Sequence, residues 1–350
     1  MSSLRFALLG AGFWARYQLS AWKEIVGAEC IAIGDPDRDK AEYLAHLHQI
    51  PHVFTSLEEL LTVTTPDFVD IVTPPKTHKD LVLLCASRGI PAICQKPMAE
   101  TLSDAEQMVQ TCESAGVPFL IHENWRWQRP LRTAGELLQQ GAIGKPFRAR
   151  LTFSCSFPVF DNQPFLRELP QFILTDIGSH VLDAARFLFG EAQSVYCQTR
   201  KVNPTIRGED VATVMMPMGN NGEVTVTCEM SYASRTEYER FPQTYLFVEG
   251  DGGSLEVCSD YIIKVTDRSG TWQEPHTTVY RCPPPRYAWA DPQYDLVQAS
   301  MVPCLQNLWN HLSDIAPAET TGRDNLETVR LIFAAYASAA TGKVVANPTL

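Results

Sequence analysis

The sequence predicts an α/β protein with two parts: an N-terminal doubly wound parallel sheet and a C-terminal α+β domain with a mostly antiparallel open sheet. Three observations carry this. Over the first ~120 residues short β-rich runs alternate with amphipathic stretches, the pattern of a parallel sheet covered by helices. A glycine turn, LLGAGFWARY, joins the first run to the first amphipathic stretch. After the turn GAIGKP the rhythm changes to strand-like runs separated by pairs such as Asn221-Gly222 and Asp251-Gly252, as antiparallel hairpins require.

In chain order, strands are expected at FALLG (6–10), ECIAIGD (29–35), HVFT (52–55), FVDIVT (68–73), PAICQ (91–95) and PFLIHE (118–123). Between them lie the helical stretches ARYQLSAWKEI, DKAEYLAHLH, SLEELL, HKDLVLLCASRG and LSDAEQMVQTCESAG. Ser56 with Glu59 and Ser103 with Glu106 read as capping boxes, and Gly89 and Gly116 as helix stops. A helix near 130–140 leads into the runs RARLTFSCS, SVYCQTR, VATVMMP, EVTVTCEMSY, TYLFVEG, GSLEVCS and YIIKVT. One helical stretch near 172–189 interrupts them, and two more, near 292–315 and 324–341, close the chain. The expected boundaries are a domain over 1–123 and a second over 124–350.

Composition narrows the function. The chain has 350 residues, 45% hydrophobic and 20% charged, with a formal net charge of −11 and no basic run, which disfavours nucleic acid as a partner. Ten cysteines are scattered without C-x-x-C pairs or zinc-site spacing, so no metal site is expected and a reducing compartment fits. The apolar stretch in MSSLRFALLGAG is too short for a secretory signal, and no later segment approaches membrane-spanning length. The expectation is a soluble cytoplasmic protein with a small-molecule partner.

Gly10-Ala11-Gly12-Phe13-Trp14-Ala15 is a G-x-G-x-x-A form of the dinucleotide fingerprint: glycines for the tight turn and for close approach of backbone to pyrophosphate, and a helix N-terminus facing the charge. Asp35, at the end of the second strand, can accept the ribose hydroxyls and repel a 2′-phosphate, which favours NAD over NADP; Arg38 nearby softens that preference. Thr73-Pro74-Pro75 and His78 end the fourth strand, either lining the cofactor groove or forming a stiff proline turn.

Asp176 and His180 are four apart and share one helix face in a largely apolar stretch. An imidazole beside a carboxylate can take a hydroxyl proton near neutral pH. The pair also reads as an ordinary helix contact, and Asp176 as a helix cap. Lys96, at the end of the fifth strand, can hold a hydroxyl and favour an alkoxide, or face solvent. Trp125-Arg126-Trp127 offers aromatic faces to nicotinamide or sugar and a guanidinium to oxygens, or packs a hinge.

Together GAGFWA (10–15), VTPPKTHKDL (72–81), CQKPMAET (94–101), HENWRWQRP (122–130), TDIGSHVLDAARFLFG (175–190) and GEDVATVMM (208–216) resemble the glucose-fructose oxidoreductase, inositol dehydrogenase and rhizopine catabolism family, written Gfo/Idh/MocA. The resemblance implies an N-terminal Rossmann domain and a C-terminal α/β domain whose open sheet carries the substrate cleft and often an oligomer interface, so a dimer or tetramer is expected. Lys96 falls on the lysine of the family's E-K-P signature, and Asp176 and His180 on its D-x-x-x-H pair. The implied roles are His180 as general base, Asp176 as orienting group, and Lys96 at the reacting oxygen and cofactor ribose. Gln95 departs from the signature, where the family usually has Glu.

The cofactor-binding set is then Gly10, Gly12, Phe13, Trp14, Asp35, Thr73, Pro74, His78, Gln95, Lys96, Trp125 and Arg126. The substrate set is Lys96, Asn124, Gln163, Arg167, Asp176 and His180, with Asp161 a further polar candidate in the FPVFDNQPFLRELPQFIL loop. The implied activity is NAD-dependent oxidation of CH–OH, in the pattern of a branch acting on cyclic sugars at C1 to give a lactone. The rivals are an inositol-type dehydrogenase giving a ketone and a non-catalytic dinucleotide sensor.

Overall fold

In the computed structural model, which describes residues 3–349, the runs of the N-terminal part form β1 (Leu4–Leu9), β2 (Ala28–Gly34), β3 (His52–Phe54), β4 (Phe68–Ile71), β5 (Ala92–Gln95) and β6 (Phe119–His122). Helices α1 (Ala15–Trp22), α2 (Arg38–His48), α3 (Leu57–Val63), α4 (His78–Ser87) and α5 (Leu102–Ala115) alternate with them. The strands pair in the order β3-β2-β1-β4-β5-β6, all parallel. This is the doubly wound Rossmann order, with its switch point between β1 and β4. Residues of β4, β5 and β6 are buried at every position, which is why their sequences are mostly apolar rather than alternating, each with one polar residue: Asp70, Gln95 and His122.

Local signals set the helix ends. Ser56 accepts the Glu59 N–H, and Glu59 reaches back to the Thr55 N–H at 3.0 Å. The capping box expected at Ser103 and Glu106 lies elsewhere: α5 starts two residues earlier, with Thr101 accepting the Asp104 N–H and donating its hydroxyl to the Asp104 carboxylate at 2.8 Å. The threonine is already extended at the end of the preceding loop, so it caps first. Gly116 closes α5 in the left-handed region, and Gly89 (φ +67°) follows α4 with the paired bonds of a Schellman stop.

The chain divides into two units, the first running to Asn124 and the second starting at Trp125. The segments Arg286–Pro292 and Gln298–Val329 belong to the first unit, so the second is not the continuous 124–350 stretch expected from the change of rhythm. The physical reason is an edge: Ile121 donates its N–H to Thr320 O at 2.8 Å, and Thr320 returns its hydroxyl to Ile121 O at 2.8 Å. That covers the otherwise unpaired side of β6.

The second unit starts with α6 (Arg129–Gln139), β7 (Pro146–Ser154), the one-turn helices α7 (Val159–Asn162) and α8 (Ile173–Asp176), and α9 (Gly178–Phe189). Then come β8 (Ser194–Arg200), β9 (Val211–Met218), β10 (Val224–Ser231), β11 (Tyr245–Gly250), β12 (Gly253–Val257), β13 (Ile262–Asp267) and β14 (His276–Arg281). The long helices α10 (Asp295–Leu312) and α11 (Gly322–Thr341) and the short β15 (Val345–Ala346) end the chain. The sheet order is β14-β13-β12-β11-β7-β10-β9-β8-β15. β7 and β10 pair in parallel, and the other neighbours antiparallel. Burial alternates along β7, β9 and β10, so one face is packed and the other open. The sequence does not predict β14; as an edge strand with almost every residue exposed it has no apolar face to read.

One charge lies inside the parallel sheet. Asp70 on β4 is fully buried, accepting the Trp22 indole N–H at 2.7 Å and the Gln18 amide at 2.8 Å. Burial raises its pKa from 3.8 to about 6. The folded protein therefore binds this proton more tightly than the unfolded chain, and the cost of ionising Asp70 is absent below the unfolded pKa and complete above the folded one. In urea unfolding the stability of Asp70→Asn relative to wild type should rise by roughly 2.5 kcal/mol from about pH 4 to about pH 7.5, a figure set by a two-unit shift. A pH-independent difference would mean Asp70 is not the charge at issue.

Candidate active site

The carboxyl ends of the parallel strands gather the first group of residues. Gly10 leaves β1 with φ +99°, its N–H bonded to Gly34 O at 2.8 Å, and a Cβ there would run into the Val72 carbonyl. At Gly12 a Cβ would meet nothing within 4 Å, so packing within the protein does not demand glycine there, and the open space leaves room for a pyrophosphate to approach the backbone. The N-terminus of α1 follows Trp14 with no side-chain cap and no acid in its first turn, which suits an anion. Phe13 is exposed beside Tyr17, and Trp14 is half-buried.

Asp35 accepts the Ala11 N–H at 2.6 Å through one oxygen and the Asp37 N–H at 2.8 Å through the other. Each carboxylate oxygen keeps a lone pair for a ribose hydroxyl. Arg38 is paired with Glu42 at 2.8 Å along its own helix. An open turn, an uncapped helix end and a half-buried acid fit NAD.

Thr73 and Pro74 stand at the same edge beyond β4, Thr73 accepting the Thr77 hydroxyl at 2.7 Å. His78, expected among the cofactor ligands, is instead fully buried. Its Nε2 lies 2.8 Å from Thr73 O and its Nδ1 3.1 Å from Pro97 O and 3.2 Å from Met98 O, so the imidazole ties the end of β4 to the loop after β5. Burial lowers its pKa, against the carbonyls, which favour the charged form. Lys96 follows β5 directly, half-buried, with a cis bond to Pro97. Gln95 is likewise buried and faces the sheet interior, its amide bonded to Gln18 and His122, not placed at the surface a cofactor would touch. Asn124 is buried and donates to Ser300 Oγ at 2.8 Å.

In the second unit the predicted helix over 172–189 is broken once, at Ile177, between α8 and α9. Asp176 ends α8 and His180 lies in the first turn of α9. Ile177 keeps right-handed helical angles and its carbonyl accepts the His180 N–H at 3.0 Å, so the four-residue spacing survives the break. Asp176 does not cap: the cap position of α9 is Ile177, and the Asp176 carboxylate accepts the Tyr232 hydroxyl at 2.9 Å. Burial, with that carboxylate beside it, holds the Tyr232 phenol well above its ordinary pKa, so it remains a donor. His180 is buried and stacked on Trp125, ring centroids 4.4 Å apart and planes 20° from parallel.

Trp125 and Arg126 are expected among the cofactor ligands, but their surroundings give them structural work. Trp125 is buried, its indole N–H bonded to Thr244 Oγ1 at 2.8 Å and its ring against His180 and Phe153. Arg126 makes a buried bidentate pair with Asp183, at 2.7 and 2.6 Å, which occupies the fork of the guanidinium. In the loop, Arg167 donates to Thr205 Oγ1 at 3.1 Å and lies over the Phe160 ring, anchoring the segment, while Gln163 is half-buried and Asp161 exposed.

Sequence reasoning missed Tyr232, Glu209 and Tyr336. Glu209 accepts the Phe172 N–H at 3.1 Å and the Tyr336 hydroxyl at 2.7 Å, so it clamps the start of the short helix that carries Asp176. Burial raises its pKa. The available signals were a tyrosine just after the alternating β10 and an acid just before β9; neither reveals its partner, which is more than 30 residues away in each case.

A family model described as an oxidoreductase family with an NAD-binding Rossmann fold matches residues 4–122, and one for the GFO/IDH/MocA C-terminal domain matches 131–256. The chain is 42% identical over 339 residues to a D-apiose dehydrogenase of Paraburkholderia graminis, covering 97% of this chain and 88% of the relative. It is 39% identical to a D-apiose dehydrogenase of Rhizobium rhizogenes, covering 99% and 98%. Among solved structures, an oxidoreductase from Agrobacterium radiobacter in complex with NAD+, L-tartaric acid and magnesium superposes with a TM-score of 0.94 at 38% identity, over 99% of this chain and 98% of that one. A levoglucosan dehydrogenase with NADH and levoglucosan shares the fold, with a TM-score of 0.86 at 18% identity over 99% and 100%. A turn that only glycine can make, an acid after the second strand, two matched family domains and a relative aligned over 97% of the chain identify this protein as a member of the Gfo/Idh/MocA family of NAD-binding oxidoreductases.

Proposed function

We propose that this protein oxidises a cyclic aldose, D-apiose first among candidates, at C1 to the lactone with NAD. The observation that carries the proposal is the environment of His180: a buried imidazole stacked on Trp125, four residues after a carboxylate held by a tyrosine hydroxyl. The two D-apiose dehydrogenases at 42% and 39% identity support the choice of sugar.

The cofactor would be held by the turn at Gly10 and Gly12, the N-terminus of α1 and Asp35, and when bound it accepts hydride from the carbon. His180 takes the proton of the C1 hydroxyl. The electron-rich face of Trp125 stabilises the imidazolium that results, and the Asp176 carboxylate adds to this. Lys96 places a positive charge where the hydroxyl oxygen gains electron density. Gln163, in the half-buried loop, contributes a sugar contact. Arg167 gives one N–H to Thr205 and keeps further donors for a sugar hydroxyl.

The open face of the second sheet, with Phe147 and Met215 about half exposed, fits a second copy of the chain, and we propose a homo-oligomer. All ten cysteines are free thiols, which supports a cytoplasmic setting. Among the described residues no helix is long and apolar enough to cross a membrane.

Incubation with NAD and a sugar panel should give NADH absorbance with D-apiose and a lactone product; a ketone from inositol would favour the polyol reading. Lys96→Ala and His180→Ala should each lower kcat by about 100-fold or more, the usual scale for losing acid–base or electrostatic groups. Wild-type turnover in either variant would overturn its role. Gly12→Ala should leave the melting temperature unchanged while weakening NADH binding, whereas Gly10→Ala should destabilise the fold itself, because its Cβ collides with Val72. Equal melting losses in both variants would contradict that division.

A further inference from the structure

A chain of side chains links the interior of the parallel sheet to the backbone of Lys96. Trp22 and Gln18 donate to Asp70, and Gln95 Nε2 lies 2.8 Å from Gln18 Oε1 and 2.9 Å from His122 Nδ1. Gln95 Oε1 accepts the backbone N–H of Lys96 at 2.9 Å. Gln18, Asp70 and His122 are fully buried, and Gln95 is 7% exposed.

The two ends fix every orientation between them. The Lys96 N–H can only donate, so the Gln95 oxygen must face it and its NH2 must face Gln18 and His122. An ionised Asp70 can only accept, so Gln18 turns its NH2 to Asp70 and its oxygen to Gln95. The second hydrogen of the Gln95 amide then goes to His122 Nδ1, which must carry no proton. All donors therefore point one way, from Lys96 through Gln95 and Gln18 to the carboxylate.

We infer that Gln95 is a positioning residue for Lys96, and that this chain requires an amide at 95 because Asp70 already supplies the negative charge on which the hydrogen-bond chain ends. The inference rests on the role proposed for Lys96 in hydride transfer. An ionised glutamate at 95 has no hydrogen for Gln18 Oε1 or for His122 Nδ1, and it sets a second carboxylate one amide away from Asp70. With His122 in its Nδ1–H form the imidazole can donate instead, but the ionised carboxylate still faces the Gln18 oxygen, an acceptor opposite an acceptor beside the lysine. A protonated glutamate meets every partner only by keeping a buried carboxyl neutral. Removing the charge at 70 allows the chain to run backwards in the Asp70→Asn/Gln95→Glu double variant. There the new amide at 70 donates to Gln18 Oε1, and Gln18 donates to the new carboxylate at 95. The Nδ1–H form of His122 donates to that carboxylate as well, which still accepts the Lys96 N–H.

The test is steady-state kinetics with NAD and the sugar, together with NADH binding by fluorescence, for wild type, Lys96→Ala, Gln95→Glu, Asp70→Asn and the Asp70→Asn/Gln95→Glu double variant. Gln95→Glu should lower kcat by about tenfold or more with the NADH Kd within about threefold of wild type, as one lost hydrogen bond at a buried site implies. The double variant should recover most of that loss. Wild-type kcat in Gln95→Glu, or a double variant no better than the two single losses multiplied, overturns the inference. Should Gln95→Glu fail to fold, ¹⁵N-histidine NMR of the wild type decides: the donor order requires His122 in the Nε2–H tautomer, and an Nδ1-protonated ring overturns the chain of donors. Wild-type turnover in Lys96→Ala separately overturns the hydride-transfer reading, and the catalytic meaning of Gln95 with it.

Discussion

The buried Asp70 carboxylate organises the first unit. A charge that burial penalises persists only where donors converge on it, and here they are an indole and an amide from α1. Each amide in turn offers its oxygen onward, so polarity is passed from the middle of the sheet to its carboxyl edge without an interruption. The helix that opens on the glycine turn, the strand that carries the charge and the strand that ends in Gln95, just before Lys96, are thus tied by side chains, the two strands also by the sheet ladder. The edge where ligands bind is held from within.

In the second unit the same logic appears with different groups. The Arg126–Asp183 pair is almost wholly buried, and breaking such a pair by removing one partner costs about 3–5 kcal/mol, so it locks the turn after Asn124 onto α9. That lock sets Trp125 against His180. Glu209 and Tyr232 act on the neighbouring short helix, one at its start and the other at the Asp176 carboxylate. The break at Ile177 costs the helix little because its backbone stays in the right-handed region.

Much of this is legible in the sequence, for physical reasons that differ by element. Strands buried on both faces, such as FVDI and AICQ, are readable because parallel sheets demand short, mostly apolar runs without alternation. The glycine turn is readable because at Gly10, with its positive φ and the Val72 carbonyl against it, no other residue fits the backbone. The D-x-x-x-H spacing is readable because one turn of helix is a local property. What the sequence hides is pairing at a distance: whether Arg126 meets a phosphate or Asp183, whether Gln95 faces a ligand or Gln18, and which tyrosine reaches Asp176. A side chain's type limits its partners but does not choose among them. β14 is hidden for another reason, since a strand exposed on both faces carries no periodic apolar signal.

The double duty of Asp35 bears on cofactor preference. Its carboxylate keeps lone pairs for an incoming hydroxyl and at the same time receives the Ala11 N–H from the middle of the glycine turn. Any exchange that makes room for a 2′-phosphate by removing this acid also unties that turn. Arg38, the nearby cation that could welcome such a phosphate, is committed to Glu42. A lineage moving from one dinucleotide to the other would have to cross a form poor at binding both, so the choice of NAD is entrenched by the architecture of the turn.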